Sequence, residues 1–272
     1  MTRIQPGMIA SVDLTVSDAD RIRDFYQSVI GWTHMPLDMG GYADYMMMAN
    51  DQPAGGICHK RGVNAALPSH WMVYFIVSDM NASLQTVERL GGRILIRPQN
   101  NEGTRYAVIQ DPAGAICALY EVAPVDEAGM TSQLAGIEAA HSQPGHMAWV
   151  DLTVEDAETA RDFYQQVIGW TSQTVPQEEG AEAYDDYNMC TADGTARTGI
   201  CHRRGMNAML PSQWMVYFVV PDVDQSIRAV EAGGGSVIRS PEEGGGGRIA
   251  VIQDPAGAVC SLFEVTSSQT RS

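Results

Sequence analysis

The segment GICHKRGVNAALPSHWMVYF (56–75) brings Cys58, His59 and His70 into one short span. A thiolate and two imidazoles are donors that borderline divalent ions select, so a metal centre is the first chemistry to weigh. A thiol activated by an imidazole is the second. That second reading fails on geometry, because adjacent strand residues point to opposite faces and His59 would turn away from Cys58. The first is tested by the chain itself. A second copy, GICHRRGMNAMLPSQWMVYF (199–218), keeps Cys201 and His202 but has Gln213 where the first has His70.

Duplication runs through the whole chain. VDLTVSDADRIRDFYQSVIGW (12–32) recurs at 150–170, and AVIQDPAGAICALYEV (107–122) recurs as AVIQDPAGAVCSLFEV (250–265). The repeats read as domains over 1–122 and 146–266. Between them lies a small-residue linker, 123–145, and a tail follows over 267–272. Within a copy, residues 9–16 alternate as a strand and Ser17-Asp18 offers a helix N-cap. Ile22, Phe25, Tyr26, Val29 and Ile30 then share one face of a helix ending at Gly31. Short strands follow, and the second half repeats the plan from WMVYFIV onward, with Asp-Pro-Ala-Gly (111–114) as a tight turn. Each copy is therefore two βαβββ units, an α+β arrangement.

In this order and spacing, VDLTVSDADRIRDFYQSVIGW, WMVYFIVSDMNASLQTVERLGG and AVIQDPAGAICALYEV resemble the vicinal oxygen chelate superfamily of glyoxalases, bleomycin resistance proteins and extradiol dioxygenases. The chain is most similar to its tandem two-domain glyoxalase-like branch, whose members carry hydroxylase or glyoxalase names. The resemblance implies a tandem duplication of a glyoxalase-like domain, each with two βαβββ units curled around a cavity. Metal-using members place ligands on the first strand, on the strand opening the second unit and on the last strand. Those places carry Ser11, Met72 and Ala118 in the first copy, and Trp149, Met215 and Ser261 in the second. No metal ligand is assigned, and no cofactor is expected. Strand parity leaves a displaced set, Asp13, His70 and Cys58, that could converge in the first copy, though its twin lacks the histidine.

The cavity faces implied by parity carry Thr15, Cys58, His70, Met72, Tyr74 and Tyr120 in the first copy. In the second they carry Trp149, Thr153, Cys201, Met215, Tyr217, Ser261 and Phe263. Aromatic and thioether side chains with a few hydroxyls are a lining for an apolar or aromatic small molecule. Asp13 and Asp151 are the candidate acid–base residues, since a carboxylate on an apolar strand takes a raised pKa or a hydrogen-bond donor. The competing reading is structural, with each carboxylate tying strands together. Cys58 and Cys201 read as small buried strand residues. His59 and His202 read as solvated strand ends, and His70 as a strand cap. Trp71 and Trp214 have core parity. The run EEGGGG (242–247) lacks the strand-to-helix context of a phosphate loop and reads as a hairpin lip. Arg105 and Arg248 stand where they could meet an anion or pair with nearby acids.

A formal net charge of −16 argues against nucleic acid. No run reaches the roughly 18 apolar residues of a membrane span, and no signal-peptide core opens the chain. Five cysteines, an odd number in a chain too large to need staples, fit free thiols in a reducing cytoplasm. Three functions stay open: a metal-free binder of a small aromatic molecule with modest acid–base chemistry, a metal-dependent lyase, isomerase or dioxygenase with nonstandard ligands, and a non-catalytic interaction protein. The expected partner is a small-molecule ligand, and the expected state is a monomer or homodimer.

Overall fold

Four helices begin at an aspartate that accepts a backbone N–H three residues on: Asp18 from Arg21 at 3.0 Å, Asp79 from Ala82 at 3.0 Å, Asp156 from Thr159 at 2.9 Å and Asp222 from Gln225 at 2.8 Å. Each such cap satisfies a donor that the first helical turn leaves open. A computed structural model describes residues 4–101, 104–122, 127–179 and 182–265. The tail read over 267–272 lies outside the described residues. Among the described residues, no helix is long and apolar enough to cross a membrane.

The first repeat runs β1 (Ile9–Val16), α1 (Ala19–Ile30), β2 (Thr33–Asp38), β3 (Ala43–Ala49) and β4 (Gln52–His59), then β5 (Trp71–Ile76), α2 (Met80–Arg89), β6 (Arg93–Asn101), β7 (Thr104–Gln110) and β8 (Ile116–Glu121). The stretch read as a linker carries a helix, α3 (Glu127–Ala140), which buries Met130 and Leu134. The second repeat follows as β9 (Met147–Val154), α4 (Ala157–Ile168), β10 (Thr171–Glu179), β11 (Glu182–Cys190) and β12 (Ala196–His202). It closes with β13 (Trp214–Val219), α5 (Val223–Ala232), β14 (Ser236–Gly244), β15 (Gly247–Gln253) and β16 (Val259–Val265). Strand pairing follows the repeats. One eight-stranded sheet has the order β2-β3-β4-β1-β5-β8-β7-β6, the other β10-β11-β12-β9-β13-β16-β15-β14. The Gly run forms the tip of the β14–β15 hairpin, where Gly244 pairs with Gly247. Gly245 and Gly246 take the two positive φ values, 60° and 84°, that such a two-residue turn requires.

Tertiary proximity divides the chain differently from the repeats. One compact unit holds Met72–Ala135 and Val150–Trp214 with the residues up to Ser11; the other holds Val12–Trp71, Gly136–Trp149 and Met215 onward. Each unit therefore combines half of one repeat with the complementary half of the other. In the first unit α2 packs on α4, and the Ser83 hydroxyl donates to the Val167 carbonyl at 2.7 Å. In the second α1 packs on α5, and Ser226 donates to Val29 at 2.7 Å.

At the centre of the second unit Tyr26 is fully buried; its Oη accepts from Trp71 Nε1 at 3.0 Å and donates to Asp254 Oδ2 at 3.2 Å. The other carboxylate oxygen of Asp254 closes its own Asp-Pro-Ala-Gly turn, accepting from Ala256 and Ala258 at 2.8 and 2.9 Å. The first unit repeats this with Tyr164, Trp214 and Asp111, at 3.1 Å for each Tyr164 bond. Phe218 packs edge-on against Trp32 and Trp71, and Phe75 against Trp170 and Trp214. Trp71 and Trp214 are core residues, as their parity requires.

Tyr26→Phe leaves Asp254 Oδ2 and the Trp71 N–H buried without that partner, an expected cost of about 1–3 kcal/mol. Thermal melts read it, and an unchanged midpoint would remove the bond from the account. A second test follows from the interleaving. A protease site inserted at 123–126 and then cut is expected to yield two fragments that co-sediment at the size of the intact chain. Fragments that part without denaturant would contradict the packing described.

Candidate functional site

Asp13, Thr15, Cys58 and His59, singled out in sequence, lie on β1 and β4 in the second unit, where β3 pairs with β4. Val12, Leu14 and Val16 are buried in the core, so alternation turns Asp13 and Thr15 to the opposite face. Parallel pairing sets Asp13 beside Gly56 and Thr15 beside Cys58. Gly56 is what lets the carboxylate lie there, because a Cβ at that position would overlap Asp13 Oδ1. Tyr45 pairs with Ile57, which in an antiparallel register brings Asp44, one residue earlier, opposite Cys58. Burial first, then the charges of Asp13 and Asp44, push the Cys58 thiol far above its ordinary value. In these surroundings Cys58 is held as the thiol, which is not the nucleophilic form.

Asp44 is the residue that sequence reasoning missed. Its Oδ1 accepts the His59 backbone N–H at 2.8 Å and lies 3.2 Å from His59 Nδ1. The His59 side chain is only 11% exposed, with Tyr42 edge-on at 5.5 Å and Asp20 Oδ2 at 3.9 Å from Nε2. The expectation of a solvated strand end is corrected: the imidazole is held between carboxylates and an aromatic edge. The first unit builds the same ladder. Asp151 pairs with Gly199 and Thr153 with Cys201. Asp186 accepts from the His202 N–H at 2.7 Å and lies 3.2 Å from its Nδ1. Burial, Asp151 and Asp186 raise the Cys201 thiol in turn.

The aromatic candidates lie on the other half of each sheet. In the first unit Cys117 approaches the core residue Tyr164, so alternation places Ala118 and Tyr120 on the face away from the helices. Tyr74 pairs with Ala118 and Tyr106 with Tyr120, and the Tyr74 and Tyr106 rings meet at 6.1 Å. Met72 has the same parity and is buried. In the second unit Tyr217 pairs with Ser261 and Ile249 with Phe263. Met215 and Ser261 are buried there, and Trp149 is half-buried. Arg105 and Arg248 face acids rather than an open site: Arg105 pairs with Glu121 at 2.8 Å, and Arg248 with Asp224 at 2.9 Å.

His70 does not join Asp13 and Cys58 in a metal site; among the described residues no three His, Cys, Asp or Glu side chains are grouped to hold an ion. Burial, then the charge of Lys60, holds the His70 imidazole below its ordinary value. A depressed imidazole pKa stabilises the fold fully above the unfolded value of about 6.5, and this is lost as pH falls through the folded value. His70→Gln, the residue of the second copy, is therefore expected to lose less stability than the parent between about pH 7 and pH 5. Thermal melts across that window decide it, and parallel losses would exclude His70 as a source.

The comparisons with known proteins agree with this architecture. The Glyoxalase/Bleomycin resistance protein/Dioxygenase superfamily matches residues 145–262, and a glyoxalase-like domain family matches residues 10–119. The anthracycline biosynthesis protein DnrV of Streptomyces peucetius is 30% identical, over 97% of this chain and 96% of its own. Among solved structures, the 2,3-dioxygenase LapB from Pseudomonas sp. KL28 matches with a TM-score of 0.57 at 14% identity, covering 96% of this chain and 93% of that one. The Mn(II)-bound glyoxalase from Novosphingobium aromaticivorans matches with a TM-score of 0.58 at 16% identity, covering 96% and 82%. At such identities the structural likeness speaks for the fold alone. With two glyoxalase-like repeats and a full-length relative, the chain belongs to the glyoxalase/bleomycin resistance protein/dioxygenase superfamily.

Proposed function

We propose that this chain binds a planar aromatic small molecule without a metal, with Asp13 and Asp151 as the groups available for proton transfer. The observation that carries the reading is the pair of aromatic strand faces. Tyr74, Tyr106 and Tyr120 share one, and Tyr217 and Phe263 share the other, in rows with Ala118 and Ser261, two of the ligand positions that the family resemblance implies. The residues at those ligand positions, Ser11, Met72 and Ala118, and Trp149, Met215 and Ser261, offer thioether, methyl, indole and hydroxyl groups. They do not fit a divalent ion that takes imidazole and carboxylate donors. Aromatic rings and thioethers instead favour the faces and edges of a flat apolar ligand. The name of DnrV points the same way, since anthracyclines are polycyclic aromatic compounds.

The acid–base part rests on the seat of Asp13. Gly56 makes room for its carboxylate, whose charge helps, after burial, to hold the nearby Cys58 thiol protonated. Equilibrium dialysis of tag-free protein against 1,8-dihydroxyanthraquinone and against an aliphatic ketone of similar size tests the reading. Retention of the tricycle alone, with no stoichiometric metal by elemental analysis, is expected. Gly56→Ala should displace the Asp13 carboxylate at small cost in stability and change tricycle affinity as Asp13→Asn does. Stoichiometric metal, or equal retention of both compounds, would overturn the proposal.

A further inference from the structure

The two aromatic faces differ at one buried position, and the difference is polar. On β16 the Cys260 sulfur lies 3.8 Å from Tyr26 Oη in the core, so Ser261 and Phe263 point to the opposite face. There Ser261 stands in a row with Tyr217 of β13 and Val251 of β15. It is fully buried, and its Oγ has no hydrogen-bond partner among the described residues. Three other buried hydroxyls have partners: Ser83 and Ser226 donate to helix carbonyls, and Thr198 donates to Val150. An enclosed hydroxyl with no partner destabilises the fold that contains it. Nor does packing demand one, because the first repeat fills the same place with Ala118, equally buried.

We propose that Ser261 is the polar anchor of the second repeat's aromatic face, donating its O–H to a carbonyl oxygen on the edge of a planar aromatic ligand. This rests on the ligand-binding reading above and narrows it to aromatic ketones and quinones. Phe263 supplies a fixed wall, since its ring lies against Gly247, which has no side chain to hold it off. Tyr217, half-buried and level with Ser261, is the ring beside the anchor. The first repeat lacks the anchor, so carbonyl selectivity belongs to the second repeat alone.

The pair 9-fluorenone and fluorene differs only in the carbonyl and measures this directly by titration calorimetry on the full chain. The parent is expected to bind fluorenone roughly tenfold tighter than fluorene, the share of one well-placed hydrogen bond. Ser261→Ala should equalise the two affinities while melting at a higher temperature, because it removes the unpartnered hydroxyl. A preference that survives in Ser261→Ala overturns the anchor and leaves ligand binding standing. So does a lower melting temperature, which would reveal an internal partner for the hydroxyl. Failure of the parent to bind either tricycle overturns both readings.

Discussion

Each compact unit is organised around a tyrosine hydroxyl that joins the two repeats. Tyr26, from the first repeat, donates to Asp254 of the second, and Tyr164 donates back to Asp111. The carboxylate that accepts also closes its own turn, and the tyrosine also receives a tryptophan N–H. Burial raises the pKa of both aspartates, and the turn and tyrosine hydrogen bonds work against that rise. A network in which every member is satisfied is worth most where water is excluded, and a missing partner is costly there. The aromatic clusters of Trp32, Trp71 and Phe218, and of Trp170, Trp214 and Phe75, pack around these bonds.

With the helix-side faces committed to this packing, the opposite faces of the strands are left for chemistry. Their two halves have followed different courses within one chain. The ladder of Asp13, Gly56, Cys58, Asp44 and His59 recurs unchanged as Asp151, Gly199, Cys201, Asp186 and His202. The aromatic half has diverged, with Tyr106 against Ile249, Tyr120 against Phe263 and Ala118 against Ser261. The polar part is thus constant between the repeats, and the apolar part is variable.

Much of this was legible without coordinates. Helix faces and turn residues are set by local periodicity and backbone preference, so Ile22, Phe25, Tyr26, Val29 and Ile30 are buried as their spacing demands, and Asp111 closes the turn before β8. Parity also placed Tyr74, Tyr120, Tyr217 and Phe263 on the faces away from the core. The Asp44–His59 contact was not legible, because it depends on the register of two strands rather than on the neighbours Lys60 and Arg61. Sequence reading took those cations as a sign of solvent, while the pairing of β3 with β4 delivered a carboxylate.

By itself the sequence determined that each copy carries a helix with a tyrosine on its apolar face, Tyr26 or Tyr164, and an Asp-Pro-Ala-Gly turn before its last strand. It did not determine which turn meets which helix. Asp111 and Asp254 are chemically interchangeable, as are Tyr26 and Tyr164, so no local signal distinguishes pairing within a repeat from pairing between them. Only the tertiary structure decided that, by packing α1 on α5 and α2 on α4, which places each hydroxyl beside the other repeat's carboxylate.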